Sequence, residues 1–185
     1  MSSTAGPKAP SPTKVIGTRQ PDVSYVTRHA VRVVAVNAAG RIALLHARKG
    51  NYYKLPGGGV EAAAAADDGE EDHGSAAARE VREETGAVVA VRKPAACFAS
   101  TEEFRNGLHQ ISYAYIADVI DDDDGASGGP ELTEEEIVDG LAHEWVPARQ
   151  ALDKMSAVEP TSDLGRFIKE RDVYLLGEAI RKLQL

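Results

Sequence analysis

The stretch from Arg79 to Gly86 reads REVREETG and carries the pattern that decides the fold. Ser75 is a favourable N-cap residue, and nearly all residues from Ala76 to Glu84 are good helix formers. A glycine at position 86 suits the left-handed conformation that commonly ends a helix. The sequence therefore predicts a helix that begins near Ser75 and ends at Gly86.

Three glutamates of this helix are spaced so that they share one face. Glu80, Glu83 and Glu84 stand at positions i, i+3 and i+4, which places their carboxylates about one turn apart. Such a group of anions occurs on a solvated helix face, and it also occurs where hard divalent cations take oxygen ligands. The spacing alone leaves both interpretations open and favours the solvated face.

A glycine loop upstream of the helix strengthens the metal-site interpretation. Pro56 is followed by Gly57, Gly58 and Gly59, a run that neither a helix interior nor a central strand accommodates. Because these residues lack Cβ atoms, their backbone can approach a ligand or a metal closely. Together the loop and the helix indicate a metal and phosphate site, without excluding the solvated face.

The same region resembles the Nudix box, GX5EX7REUXEEXGU, in which U is an aliphatic residue. The resemblance rests on LPGGGVE from Leu55 to Glu61, on Glu71, and on REVREETGA from Arg79 to Ala87. The second half matches at every fixed position, with Ala87 as a small substitute for the terminal aliphatic residue. Further features of the family recur in order, so the resemblance covers about residues 25 to 185.

The chain departs from the box pattern between the glycine loop and the helix. Gly58 and Glu71 lie 13 positions apart, whereas the pattern separates them by six, so about seven residues are inserted within AAAAADDGE. Glu70 follows Gly69 as the family's Gly-Glu pair would, while Glu71 keeps the seven-residue spacing to Arg79. We prefer Glu71 as the loop glutamate, because the spacing along a helix is stiffer than that of a loop.

The resemblance implies an α/β fold, the α/β/α sandwich in which a mixed, curved β-sheet lies between helices. It also implies a hydrolase that cleaves a diphosphate linkage in a nucleoside diphosphate joined to another moiety. Two alternatives remain open: a hydrolase of a non-nucleotide diphosphate, such as an isoprenyl or inositol pyrophosphate, and a non-catalytic sensor of a nucleotide metabolite. Sensors of this kind usually lose a box carboxylate, whereas this chain keeps all three, which favours catalysis.

The resemblance further assigns roles to residues of the box. It implies that Mg²⁺, with Mn²⁺ as the alternative ion, is bound by the carboxylates of Glu80, Glu83 and Glu84 and by the carbonyl oxygen of Gly57. Arg79 would orient a glutamate, and Glu83 would accept a proton from the attacking water. A downstream carboxylate is the alternative acceptor, and Glu136 is the candidate for that role.

Candidate contacts to the substrate rest on residue type and position alone. Tyr53 could stack on a base, and Lys54 could contact a phosphate. Arg32 and His109 are polar residues on predicted strands and could face the pocket. These four residues are explained equally well without substrate contact: each could pack in the core, be solvated, or point away from the pocket.

Composition limits the classes of partner. The chain has 185 residues, 43% of them hydrophobic, and a formal net charge of -8, which argues against binding nucleic acid polymers or anionic membranes. A small-molecule diphosphate is therefore the expected partner, and a homodimer stays open. The sequence has no apolar run of about 18 residues and no apolar signal block, so we expect a cytoplasmic protein. Its single cysteine, Cys97, is expected to be a buried thiol.

The remaining sequence divides into a tail and one domain. Residues 1–22 hold four of the nine prolines and few large apolar residues, which predicts a flexible tail before a domain over 23–185. The domain is predicted to open with a hairpin that turns at Gly40. Further strands are expected over 87–92, 95–101, 109–120 and 144–146, a loop over 121–130, and helices over 148–155 and 164–183.

Overall fold

The computed structural model describes residues 14–61, 71–93, 97–121 and 129–184. Eight strands within these ranges form one sheet: β1 Lys14–Ile16, β2 Val26–Val36, β3 Arg41–Ala47, β4 Tyr52–Lys54, β5 Val88–Val91, β6 Ala99–Arg105, β7 Leu108–Asp121 and β8 Leu141–Pro147. Four helices accompany them: α1 His73–Thr85, α2 Glu134–Val138, α3 Ala148–Ala157 and α4 Asp163–Leu183. None of the helices among these residues is long and apolar enough to cross a membrane.

The sheet is mixed and has the central order β1-β6-β7-β2-β3-β4. β2 runs parallel to β7 and β1 runs parallel to β6, whereas the other pairs are antiparallel. β2 pairs with β3 only at Val36 and Ile42. Farther along β2, the loop that follows β4 takes the place of β3: Val31 and Val33 donate to the carbonyl oxygens of Gly58 and Pro56, each over 2.9 Å.

Helices cover both faces of the sheet. α1 packs its Ala77 and Val81 against Val31 and Val33, and the other face carries a second apolar cluster built from Val34, strand β7, α3 and α4. Because side chains alternate along a strand, odd and even residues of β2 belong to different layers. The predicted α/β/α sandwich is confirmed.

Helix α1 begins earlier than the sequence predicts. Its N-cap is Asp72, whose carboxylate accepts hydrogen bonds from the backbone N–H groups of Gly74 and Ser75. Ser75 was therefore the wrong cap, since an aspartate three residues upstream already satisfies the free N–H groups of the first turn. The predicted end is confirmed, because Gly86 adopts a left-handed conformation with φ of 78°.

The N-terminal segment joins the sheet. The prediction of a flexible tail was wrong for Lys14–Ile16, which pair in parallel with β6, and Ile16 is only 2% exposed. Composition missed this strand, because the free edge of β6 supplies hydrogen-bond partners that a short segment cannot find by itself. Residues 1–13 lie outside the described ranges.

Strand β6 begins at Ala99, four residues after the start of the strand that was predicted over 95–101. Asn106 and Gly107 have φ values of 46° and 75° and form a two-residue turn, so that Arg105 pairs with Leu108. An Asn-Gly pair between strands is a strong hairpin signal, and it determines where β6 ends. The inserted residues 62–70 and most of the predicted loop, 122–128, lie outside the described residues.

Candidate active site

A cavity of about 510 Å³ opens where the glycine loop meets α1. Its walls come from the three glycines of the loop, from the carboxylates of α1, and from basic residues of β2 and β4. Acidic residues at and just before α2 close a further side. The predicted loop and the predicted glutamate face therefore line the same cavity.

The glycine loop is pressed against its neighbours so closely that side chains are excluded. Gly57 has φ of 136°, and a Cβ atom there would overlap the carbonyl oxygen of Val31. A Cβ atom on Gly58 would overlap the carboxylate of Glu80. Glycine at these two positions is what lets the loop lie between β2 and the glutamates of α1.

Glu84 is the most deeply placed carboxylate of the box, with 3% of its side chain exposed. It accepts hydrogen bonds from the Lys54 ammonium over 2.6 Å and from the Gly57 N–H over 2.7 Å. Burial raises the pKa of Glu84 above its usual range, and the nearby Lys54 opposes this effect. Gly57 thus meets the glutamate through its N–H, and a role for its carbonyl oxygen remains a prediction.

Glu80 lies beside Glu84 and is also largely buried. Burial raises the pKa of Glu80, and the negative charge of Glu84 raises it further, while Arg79 acts in the opposite direction. Two adjacent carboxylates whose anionic forms are disfavoured would gain from a cation placed between them. This is the electrostatic property expected of a cation-binding site.

Arg79 connects the loop to the helix face. Its Nε and Nη2 atoms donate to both carboxylate oxygens of Glu71 over 3.2 and 2.9 Å, and Nη2 also donates to the Gly59 carbonyl oxygen over 3.0 Å. Nη1 contacts Glu80 over 2.9 Å and Glu83 over 3.2 Å. Arg79 thus joins Glu71 to the helix face, while the choice of Glu71 over Glu70 stays a prediction because Glu70 lies outside the described residues.

The box carboxylates are held by side-chain cations. Lys54 contacts Glu84, and Nη1 of Arg79 contacts both Glu80 and Glu83. Accordingly, no group of three or more His, Cys, Asp or Glu side chains in the described part of the chain is already arranged to hold a metal ion. The donor chemistry nevertheless fits a hard divalent cation, because all three groups offer carboxylate oxygens and two of them are buried with raised pKa values.

Two of the four candidate substrate contacts reach the cavity. Lys54 and Arg32 line it, whereas Tyr53 stacks on His46 with ring centroids 4.3 Å apart and packs against the α3 and α4 layer. Tyr53 points away because neighbouring strand residues face opposite sides, and Lys54 is its neighbour. His109 bonds Glu102 over 2.6 Å and does not line the cavity. The positions of Tyr53 and His109 therefore do not support substrate contact.

Glu136 reaches the cavity but is already engaged. Its Oε2 accepts hydrogen bonds from the backbone N–H and the hydroxyl of Thr133, each over 2.9 Å, which caps α2. Its Oε1 lies 4.0 Å from the Lys54 ammonium. The sequence placed Glu136 near the site without indicating this capping role.

The sequence did not lead us to predict a buried polar network that lies behind the cavity. Arg171 donates to Asp172 over 2.6 Å and to Glu103 over 3.3 Å, and Asp172 accepts from the Leu55 N–H over 3.0 Å. The network thereby joins α4 to the start of the glycine loop. One signal could have revealed it: Arg171 and Asp172 follow Ile168 by three and four positions, which places two charges on the apolar face of α4.

Comparison with solved structures shows the same fold in other proteins. The chain is 17% identical to a MutT protein from Methanosarcina mazei Go1, with a TM-score of 0.54 over 87% of this chain and 98% of that one. It is 19% identical to an Ap4A hydrolase of C. elegans, with a TM-score of 0.54 over 85% and 98% of the two chains. No match was found among curated proteins.

A family model decides the assignment. The model of the NUDIX domain matches residues 26–163, a span that runs from the start of β2 to the start of α4. The match includes the glycine loop, Arg79 and the three glutamates that line the cavity. The chain therefore belongs to the Nudix family of pyrophosphohydrolases.

Proposed function

We propose that this enzyme is a Mg²⁺-dependent pyrophosphohydrolase that cleaves the diphosphate linkage of a nucleoside diphosphate joined to another group. The observation that carries the proposal is the pair of adjacent, buried carboxylates, Glu80 and Glu84, beside a glycine loop in one cavity. Nudix enzymes generally use divalent metal ions. The net charge of -8 supports a small-molecule substrate over a nucleic acid polymer.

The ion would be held by Glu80, Glu83 and Glu84, with the carbonyl oxygen of Gly57 as a fourth donor. When bound, Mg²⁺ neutralises charge on the diphosphate and lowers the pKa of a coordinated water. Mn²⁺ has the same preference for oxygen donors and is the alternative ion.

The protein's own groups position these donors and move the proton. Arg79 holds Glu80 and Glu83 at fixed distances from the loop. Glu83 is the most exposed of the three glutamates, at 40%, so it is the one most accessible to water in the cavity, and we assign it the role of proton acceptor. Lys54 lies on the cavity wall and would donate to a phosphate oxygen once it leaves Glu84.

The test replaces Glu83 or Glu84 by glutamine. We expect each change to lower kcat at least about a hundredfold, as loss of a general base or metal ligand typically does, while the fold is retained by circular dichroism. Glu135→Gln is the control, since Glu135 is an exposed residue of α2 that does not line the cavity. Unchanged turnover in both site variants would refute the assignment.

The substrate class is tested by a panel assayed with Mg²⁺ and again with EDTA. Release of a nucleoside monophosphate supports the proposed reaction. Turnover confined to isoprenyl or inositol pyrophosphates would replace it with the non-nucleotide alternative. A nucleotide that raises the melting temperature but is never hydrolysed would identify a sensor.

A further inference from the structure

Two cations on one face of β2 line the cavity without a carboxylate partner. Arg28 and Arg32 are separated by four strand positions and so point to the same side, with the small Ala30 between them. In the described part of the chain, no carboxylate lies within 4.0 Å of either guanidinium. Lys54 and Arg79, the other cations of the cavity, both contact glutamates.

Arg32 is buried, with 6% of the residue exposed, yet most of its hydrogen-bonding capacity is unused. Both of its hydrogen bonds leave from Nη1, to the carbonyl oxygens of Val31 over 2.6 Å and Gly58 over 3.5 Å, and its buried Nε has no partner. Burial and the positive charge of Arg171 lower the pKa of Arg32 to about 10, while the negative charges of Asp172, Glu103 and Glu84 act in the opposite direction. A buried guanidinium without a contacting anion is costly unless a ligand supplies one.

Arg28 also lines the cavity, and a neutral side chain holds it in place. Its Nη1 donates to the side-chain oxygen of Gln110 over 3.4 Å, which is a neutral partner. Gln110 is held in turn by Glu103 and Ser112. Gly59 lies against the guanidinium, since a Cβ atom there would stand 2.9 Å from Nη2. Arg28 is thus positioned without being neutralised.

The two arginines lie next to the glutamate face rather than remote from it. Nη1 of Arg32 approaches the carbonyl oxygen of Gly58, and the Cα of the same glycine abuts the carboxylate of Glu80. The cavity therefore has an acidic wall on α1 and a basic wall on β2, joined by one residue of the loop. A chain of phosphates extending from the acidic wall would reach the basic wall directly.

We propose that Arg28 and Arg32 form an anion subsite for a third phosphate, so that the preferred substrates carry three or more consecutive phosphates. The class is a nucleoside triphosphate or a dinucleoside polyphosphate, and the inference rests on the proposed function for the position of the other two phosphates. A nucleotide sugar has only two phosphates, and its neutral sugar would leave both guanidinium groups without a counterion. Guanidinium and phosphate form bidentate, charge-assisted pairs, which suits them to this contact.

A binding experiment tests the subsite without turnover. Calorimetry in EDTA measures the affinities of inorganic tripolyphosphate and pyrophosphate for the wild-type protein and for the variants Arg28→Gln and Arg32→Gln. We expect tripolyphosphate to bind more tightly than pyrophosphate, and each variant to weaken tripolyphosphate about tenfold or more, as loss of a charge-assisted hydrogen bond does. Arg28 is exposed, so its variant remains informative even if Arg32→Gln folds poorly.

The control is Arg92→Gln, which removes the same charge from an exposed pair with Asp118 outside the cavity. Equal weakening by Arg92→Gln, or unchanged affinity in Arg28→Gln, would overturn the subsite. If turnover is absent but Arg28→Gln and Arg32→Gln still lose tripolyphosphate, the subsite stands and the proposed function fails. If turnover is present but the affinity for tripolyphosphate is unchanged in both variants, the proposed function stands and the subsite fails.

A kinetic comparison tests the substrate class. With Mg²⁺, the wild-type kcat/KM for a nucleoside triphosphate should exceed that for a nucleotide sugar with the same base at least tenfold. Arg28→Gln should reduce the triphosphate value about tenfold and leave the nucleotide sugar nearly unchanged. Equal wild-type values, or equal losses for both substrates, would contradict the inference.

Discussion

At the scale of single residues, Arg79 connects the glycine loop, the loop glutamate and the glutamate face of α1. One planar guanidinium contacts Glu71, Glu80, Glu83 and the Gly59 carbonyl oxygen. The hydrogen bonds that Arg79 donates to Glu71 are the largest influence on the pKa of Arg79 and raise it above its usual value, while burial acts in the opposite direction. The residue therefore stays charged and fixes four groups relative to one another.

Replacing Arg79 by lysine keeps the positive charge but removes the fork, that is, the planar guanidinium with N–H donors pointing in several directions. Because a lysine ammonium is a compact point charge, it cannot hold Glu71 and the α1 glutamates together. We expect kcat to fall about 10- to 100-fold, as misplacement of catalytic groups by about 1 Å does. Steady-state kinetics with Mg²⁺ measures the effect. Arg82→Lys on the same helix is the control, since Arg82 forms an exposed pair with Glu131, and equal losses in the two variants would contradict the role of the fork.

At the scale of elements, α4 is tied to the glycine loop through buried charges. Asp172 accepts from the Leu55 N–H, and Arg171 lies between Asp172 and Glu103. Burial by itself lowers the pKa of Arg171, but the two carboxylates together raise it above its usual value. The helix thus sets the position of the chain just before Pro56, and with it the floor of the cavity.

Arg171→Met leaves the fully buried Asp172 without its contacting cation and leaves the fully buried Glu103 with only Arg105, at 3.5 Å. Breaking a buried ion pair from one side costs about 3 to 5 kcal/mol, so we expect a loss of that size in the free energy of unfolding, measured by urea titration. Arg181→Met is the matched control, because Arg181 pairs with Glu178 on the exposed side of the same helix and solvent screens that pair. A similar loss in both variants would show that the network is not what stabilises α4.

At the scale of the whole molecule, the sheet begins before the predicted domain does. β1 extends the sheet beyond β6, and its Ile16 is buried while the neighbouring Val15 is 55% exposed. The domain therefore includes residues that composition alone assigns to a tail. Residues 14–16 contribute to the stability of the domain by burying the side chain of Ile16 and by pairing their backbone with β6.

Ile16→Ala tests this extension of the domain. Removing a buried isoleucine side chain costs about 2 to 5 kcal/mol, and the expected result is a lower midpoint in urea and a lower melting temperature. Val15→Ala provides the comparison, since an exposed valine has little burial to lose. If the two variants are equally stable, β1 is not part of the folded core.

Much of the fold follows from local sequence. Helix α1, its glycine end at Gly86, the hairpin at Gly40 and helices α3 and α4 were all predicted, because caps, turn residues and apolar periodicity act over a few residues. The glutamate face of α1 was predicted for the same reason, since helical spacing alone places Glu80, Glu83 and Glu84 together. The hairpin turn at Asn106 was equally local and was missed.

The rest depends on pairing between distant segments. A strand tells which of its residues share a face but not which face meets the cavity, so Tyr53 was expected at the site and Arg28 was not singled out. The contact of Asp172 with Leu55 joins residues 117 positions apart, and no local pattern specifies it. Sequence by itself determined the acidic helix and its glycine loop, because their geometry is set by neighbouring residues. Only the tertiary structure decided which cations surround them, because that depends on how β2, β4 and α4 assemble around the loop.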